Sequence, residues 1–203
     1  MVDRSGVVWA CSYEWDLFKI AYKPEAFSKS FLRDTLNLLS ANVFSIASGD
    51  NKIWAGTSNG LIEIDKQTGD VIAIPELTKY PLLKAGILSM CRTNDKLYLA
   101  TKRGLLVYDL TSKELQLPEA LKQIKPFRIN YVMKDKENNI WIGTYDRGVY
   151  KYDEINDSLI HIDLRNHFGQ AENSNYINSI FQDSFERIWI GTYAGLCLIK
   201  KDK

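Results

Sequence analysis

Histidine occurs only twice in the 203 residues, at His161 and His167, and cysteine three times, at Cys11, Cys91 and Cys197. The cysteines are an odd number and form no C-x-x-C pair, so redox-motif and zinc-ribbon readings both fail. They read as small buried hydrophobes. There is no glycine-rich phosphate loop and no G-x-S-x-G elbow. The acid–base groups that a lyase or hydrolase needs are missing, so the chain reads as non-enzymatic and free of cofactors. Excess charge of one sign is absent too: 26 basic residues face 25 acidic ones, for a net charge of +1. That balance lacks the footprint of a nucleic-acid or anionic-membrane binder. No run approaches the roughly 20 apolar residues of a membrane-spanning helix. The opening Met1–Gly6 also lacks the basic-then-apolar profile of a secretory signal. What remains is an ordinary globular composition, 45% apolar and 25% charged, in which most tryptophans and many glycines recur in register.

The recurring unit is Ile53-Trp54-Ala55-Gly56-Thr57, followed by Ser58-Asn59-Gly60-Leu61. It returns at Leu97–Leu105, at Ile140–Val149 with one extra turn residue, and at Ile188–Leu196; a worn copy opens the chain at Val8–Ser12. The anchor positions Trp9, Trp54, Tyr98, Trp141 and Trp189 stand 45, 44, 43 and 48 residues apart. A fixed period of this length decides fold class before any local reading does. In the second copy, alternating Val43–Ala47, Lys52–Thr57, Leu61–Asp65 and Asp70–Ile74 are separated by turns rich in Gly, Asn, Asp and Ser. Such residues supply the backbone angles of tight hairpins. Four consecutive antiparallel strands per period describe a propeller blade.

Within the second strand, Ile53, Ala55 and Thr57 point one way and Trp54 and Gly56 the other. Both faces are largely apolar, as expected of a strand between two neighbouring sheets. The residue two after each anchor is small: Cys11, Gly56, Ala100, Gly143 and Gly191. The expectation is a flat hollow beside each indole, where a larger side chain would overpack the seam between blades.

The fold class expected is therefore all-β: a β-propeller segment with three complete four-stranded blades and two partial ones. One domain or fragment over 1–203 divides into repeats at about 1–42 (partial), 43–85, 86–128, 129–175 and 176–203 (partial). The two ends offer three strands each, two more than one shared blade needs. The segment either closes as five blades with two incomplete sheets or is cut from a larger ring, and the second is favoured. Open blade edges then leave apolar surface and unpaired backbone exposed. Residues 24–41 are the least repeat-like. Phe27, Phe31, Leu32, Leu36 and Leu39 fit a helical stripe as well as a strand plus loop, and a helix there would be the chain's only one.

The combination of Ile-Trp-Ile-Gly-Thr with Gly104-Leu105-Leu106-Val107-Tyr108-Asp109 and Gly148-Val149-Tyr150-Lys151-Tyr152-Asp153 resembles two-component regulator propeller repeats. Their signature is an aspartate turn, an Ile-Trp-Ile-Gly-Thr strand and a Gly-Leu-x-x-Tyr-Asp strand. Departures are Tyr98 for Trp, Ala100 for Gly, and the eroded first copy. The resemblance implies the extracytoplasmic, periplasmic sensor of a hybrid histidine kinase that responds to complex carbohydrates. It also implies partners: the remaining blades of a parent receptor, and a second copy in a homodimer. No nucleic acid and no membrane insertion of this segment are expected.

Binding residues can be placed by topology. Turns between second and third strands lie at the same end as the links between blades, and such loops commonly meet ligands. Tyr145, Asp146 and Arg147 form the longest of these turns. Tyr193 holds the same place one blade later, and Lys102 and Arg103 one blade earlier. The links add Lys79, Tyr80, Lys84, Phe127, Arg128, Arg165, Asn166, His167, Asn173, Asn175 and Tyr176. Aromatic rings beside Arg, Asp and Asn suit an oligosaccharide, since rings stack on C–H faces while polar groups pair with hydroxyls. The plainer alternative is that these loops are polar because they are solvated, with the tyrosines packing between blades. Asp135–Asn139 faintly resembles a calcium loop but lacks the ligand spacing and reads as a turn. Asp65, Asp109 and Asp153 end third strands and read as turn caps. His161 and His167 read as a strand edge and a loop residue rather than metal ligands, and no metal site is expected.

Overall fold

The computed structural model describes residues 8–11, 17–20, 27–30, 42–74, 80, 83, 85–168, 171 and 173–199. Two compact units divide at Ser89/Met90. In the first, β1 (Val8–Cys11), β2 (Leu17–Ile20) and β3 (Phe27–Ser30) form a three-stranded antiparallel sheet. A four-stranded sheet follows, with β4 (Val43–Ser48), β5 (Lys52–Thr57), β6 (Gly60–Asp65) and β7 (Val71–Ala73) in sequence order. Its core is Val43, Ile53, Ala55, Ile62 and Ile64.

The second unit takes up β8 (Ile87–Arg92), in which the division falls, with β9 (Lys96–Thr101), β10 (Gly104–Asp109) and β11 (Leu115–Gln116). Next come β12 (Ile129–Lys134), β13 (Ile140–Thr144), β14 (Val149–Asp153) and β15 (Ser158–Ile162). A final three-stranded sheet holds β16 (Ile177–Gln182), β17 (Ile188–Thr192) and β18 (Gly195–Ile199). Among the described residues, three four-stranded and two three-stranded sheets match the expected complete and partial blades, numbered first to fifth below.

Of the two alternatives for residues 24–41, the described part takes the strand, and the expectation that a helix there would be the chain's only one needs correction. Phe27–Ser30 is a strand paired with Leu17–Ile20, so the helical stripe does not begin there: four residues that can join an existing sheet satisfy their backbone groups at once, which a helix must nucleate to do. Residues 31–41, where the rest of that stripe falls, lie outside the described residues. The helical pieces that are described sit in links instead: 3₁₀ turns at Ala120–Ile124 and Leu164–His167.

The seams of the second unit explain the alternation of β13. Ile140 and Ile142 join Tyr98, Ala100, Leu105, Val107, Ile129 and Tyr152 between the third and fourth blades. Trp141 faces the other way, into Ile177, Ile180, Ile188, Ile190 and Cys197 of the fifth. Gly143 shares that side. The room it leaves is taken by Ile177: a Cβ at Gly143 would lie 2.5 Å from the Ile177 Cγ2 and 3.0 Å from its Cβ. The expected hollow beside the indole is thus a socket for the next blade's first strand. Ile129, at the same place one blade earlier, lies in the seam with the small residue Ala100. A register shift right after Val43, Ile129 and Ile177 marks a bulge in each of these first strands. Such a bulge re-aims the leading side chain relative to the rest of its strand.

Turn chemistry repeats as closely as the strands do. The hydroxyls of Thr57, Thr101, Thr144 and Thr192 donate to the carbonyls of Gly60, Gly104, Gly148 and Gly195 at 2.8–3.0 Å. Each also accepts the N–H of a turn residue. Gly104 is required in its turn: its φ is +136°, and a Cβ there would meet the Lys125 carbonyl oxygen at 2.4 Å. Asp65, Asp109 and Asp153 do cap the turns after third strands, each accepting two backbone N–H groups.

In the fourth and fifth blades an aspartate in the first turn also takes the anchor indole. Trp141 Nε1 donates to Asp135, and Trp189 Nε1 to Asp183, both at 2.8 Å. Burial works against ionisation of Asp183. Hydrogen bonds from Trp189, the Arg187 guanidinium and the N–H groups of Arg187 and Phe185 outweigh it and hold the carboxyl at about 2, below its ordinary 3.8. A depressed folded-state value contributes stability that is complete above the ordinary value and lost as pH falls through the lowered one. Melting temperature is therefore expected to fall between about pH 4 and pH 2, with a shallower slope in Asp183→Asn. An unchanged slope in that variant would show that Asp183 takes no part in the acid limb.

In the third blade's shorter first turn, Thr93–Asp95, Thr93 holds the place of that aspartate, its N–H donating to the Lys96 carbonyl as those of Asp135 and Asp183 donate to Asn139 and Arg187. Its anchor is Tyr98, fully buried and 6.3 Å from the ring of Tyr152. With Thr93 in place of a carboxylate at the position that receives the indole N–H in later blades, a phenol fills the seam. Trp54, also after a short turn, donates instead to Glu63 on the neighbouring strand at 3.1 Å. The side chain of Trp9 is outside the description.

Candidate functional site

At the end of the second unit where second strands turn into third strands, four of the eight candidate binding residues form one continuous row. The Arg128 guanidinium lies over the Tyr145 ring, 4.3 Å from its centroid. Tyr145 meets Tyr176 edge to face at 4.7 Å, and Tyr176 meets Tyr193 likewise at 6.0 Å. The row crosses from the fourth blade to the fifth.

Its spacing is set by backbone. Tyr145 N–H donates to the Arg128 carbonyl at 2.9 Å, and Tyr193 N–H to the Tyr176 carbonyl at 3.2 Å. The fourth and fifth blades thus each pair the residue before the first strand with the residue after the turn threonine. The bulge residue Asn130 fixes the arginine: its Oδ1 accepts from Arg128 Nε at 3.1 Å, and its Nδ2 donates across the seam to the Ile177 carbonyl at 2.9 Å. Asn130 was not foreseen, since nothing in the spacing marks a bulge. Tyr145 is 36% exposed and Tyr193 66%, so ring faces and edges are open to solvent.

Arg147 begins a second aromatic group. Its guanidinium lies 5.5 Å from the Phe127 ring centroid, Phe127 is 6.2 Å from Tyr150, and Tyr150 stacks on His161 at 4.5 Å. His161 Nε2 lies 2.7 Å from the Arg147 carbonyl oxygen, so the imidazole braces this turn. Asp146 forms an exposed ion pair with Arg147. Lys102 and Arg103 stand exposed in the third blade's turn, and no described contact joins them to the row. Tyr80 is exposed in the first unit. Asn175 is buried and structural: its Oδ1 accepts from Leu164 N–H, its Nδ2 donates to Asp163, and its carbonyl accepts from Gly148. Lys79, Lys84 and the side chain of His167 lie outside the description.

No described group of His, Cys, Asp and Glu could hold a metal. Asp135 serves its own turn, accepting from Glu137 N–H, Asn139 and Trp141. Desolvation pushes the Cys91 thiol up to about 12, and neither Cys91 nor Cys197 is in a disulfide. At the opposite end of the same seam, a groove of about 260 Å³ is lined by Glu137, Trp141, Lys151, Gln182 and Glu186, among others. No described helix is long and apolar enough to cross a membrane.

Residues 128–146 and 171–194 match the family described as Two component regulator propeller. They are the segments that carry the Asp turn, the Trp–Asp bond and the tyrosine row. Those two stretches are similar to two-component regulator propeller repeats. Histidine kinase P4 of Formosa agariphila is 28% identical over 166 residues, which is 78% of this chain and 12% of that protein. The extracellular domain described as that of a hybrid two-component system of B. thetaiotaomicron superposes on the whole chain with TM-score 0.80 and 24% identity. A second such extracellular domain from that organism matches 95% of the chain at TM-score 0.62 and 21% identity. This chain covers 27% and 31% of those chains. It thus spans about an eighth of the curated relative and under a third of each solved domain.

Proposed function

We propose that this segment is part of the extracytoplasmic, non-enzymatic ligand-sensing propeller of a two-component receptor. In this reading its row of tyrosines contacts an oligosaccharide. The observation that carries the reading is the row itself: three rings held edge to face across a seam, with one arginine stacked on the end. Rings offer apolar faces to sugar C–H groups, and polar neighbours satisfy the hydroxyls. Because the row spans two blades, a bound chain would fix one blade against the next. Occupancy could then be relayed as rigid-body movement through the remaining blades of a periplasmic parent, working as a homodimer.

A second reading has its own support. The outer face of the fifth blade exposes Phe181 (63%) and Leu196 (63%). Phe181 pairs across the strands with Trp189. That face suits packing by a protein surface with no small ligand.

Thermal-shift titration with a panel of oligosaccharides separates the two. Binding to the folded state alone raises melting temperature by mass action. Sensing predicts a rise with one sugar class that is lost in Tyr145→Ala and Tyr193→Ala, whose own melting temperatures change little because both rings are exposed. A flat response together with concentration-dependent self-association would favour the interaction reading and overturn sugar sensing.

A further inference from the structure

The saccharide reading says nothing about charge, and the row lies beside an uneven distribution of it. Although the whole chain carries a net charge of only +1, the described acids Asp146 and Asp163 at this end are already paired. Asp146 holds Arg147. Asp163 accepts from Arg165 Nε at 3.0 Å through each oxygen and from Asn175 Nδ2 at 3.0 Å. These contacts, led by the Arg165 side chain, hold its carboxyl well below the ordinary carboxylate range.

The cations are not so neutralised. Lys102 and Arg103 in the third blade's turn, Lys125 in the link that passes against Gly104, and Arg128 at the head of the row are all exposed. The described ion pairs include none of these four. Arg128 is also the most closely positioned. Its Nε is spent on Asn130 and its face on Tyr145, which leaves the terminal NH₂ groups beside the rings. A planar guanidinium held in this way recognises a carboxylate or sulfate through two parallel hydrogen bonds, a geometry that lysine lacks. A neutral sugar would leave this fork and the surrounding positive potential unused.

We propose that the ligand is an anionic saccharide, with a uronate carboxylate or a sulfate ester on Arg128 and the sugar ring against Tyr145 and its neighbours. The inference rests on the saccharide reading above and adds the charge.

The test is calorimetric titration of the chain with three probes of matched length: oligogalacturonate, sulfated dextran oligosaccharide and neutral dextran oligosaccharide. One or both charged probes are expected to bind at least about tenfold more tightly than the neutral one, and less tightly as salt rises. Which of them binds identifies the anion. Arg128→Ala is expected to lose about tenfold toward the charged probe and at most about threefold toward the neutral one, with melting temperature little changed, and Arg128→Lys to recover only part of the loss. Equal binding of charged and neutral probes, or an indifferent Arg128→Ala, overturns the anionic inference and leaves saccharide sensing intact. Charged-probe binding that survives Tyr145→Ala and Tyr193→Ala undiminished shows generic attraction and also overturns it. If no probe binds at millimolar concentration, both readings fall.

Discussion

Gly143→Leu is expected to destabilise the protein by about 3 kcal/mol or more, against the 1–3 kcal/mol typical of overpacking. The excess has a geometric cause. The first atom added, Cβ, already lies 2.5 Å from Ile177 Cγ2 and 3.0 Å from Ile177 Cβ. A leucine then adds three more carbons to a seam where Val149, Ile177 and Ile190 are fully buried. Ile177 is β-branched, stiff at χ1 and itself fully buried, so it cannot swing aside as a long surface chain would. At about 2–4 °C per kcal/mol for a chain of this size, the melting temperature drops by roughly 10 °C. Gly143→Ala should cost less but share the cause, which a double-mutant cycle can isolate. Ile177→Ala alone opens a cavity, yet in the Gly143→Ala background it should be nearly neutral or stabilising. Additive costs for the two substitutions would show that the socket is not what the glycine serves.

That socket also marks the boundary of what the residues disclose before they fold. Strands, hairpins and the aspartate caps of third strands were legible because each is a local pattern repeated at a fixed period. The inward and outward sides of β13 followed from alternation alone. The smallness of Gly143 was visible, but not its reason, since Ile177 is 34 residues away and reaches the glycine only once two blades have packed. The tyrosine row was half visible for the same reason. Tyr145 and Tyr193 announced themselves by equivalent place, and Arg128 and Tyr176 by lying in links. Their order, arginine on tyrosine on tyrosine on tyrosine, depends on a backbone bond in each blade and on the bulge that aims Asn130. Phe27–Ser30 shows a different limit. Apolar spacing there suited two periods, and the waiting edge of Leu17–Ile20 chose the strand.

Asp135→Ala is expected to cost about 2–4 kcal/mol, more than the loss of one turn would suggest. Asp135 is 5% exposed, and its carboxylate accepts from four donor groups. Oδ1 receives the N–H groups of Glu137 and Asn139, which close the turn. Oδ2 receives the Asn139 side-chain amide and the Trp141 indole, which tie the turn to the blade seam. Alanine returns the turn N–H groups to water at modest cost, because Glu137 is exposed. It strands the Trp141 N–H, however, since that side chain is only 4% exposed. An orphaned buried donor forfeits its full desolvation cost rather than the net value of one bond. Asn should restore little. A carboxylate accepts on both oxygens, whereas an amide that satisfies the turn with its oxygen must present N–H groups to Trp141 and Asn139, donor against donor. Asp183→Ala supplies the internal control: it removes the same bond from Trp189, which is only half-buried, so water replaces the carboxylate and the loss should be smaller. Urea denaturation at pH 7 reads both variants as a shift in midpoint at constant slope. Equal shifts for Asp135→Ala and Asp183→Ala would show that the buried indole bond is not the source of the cost.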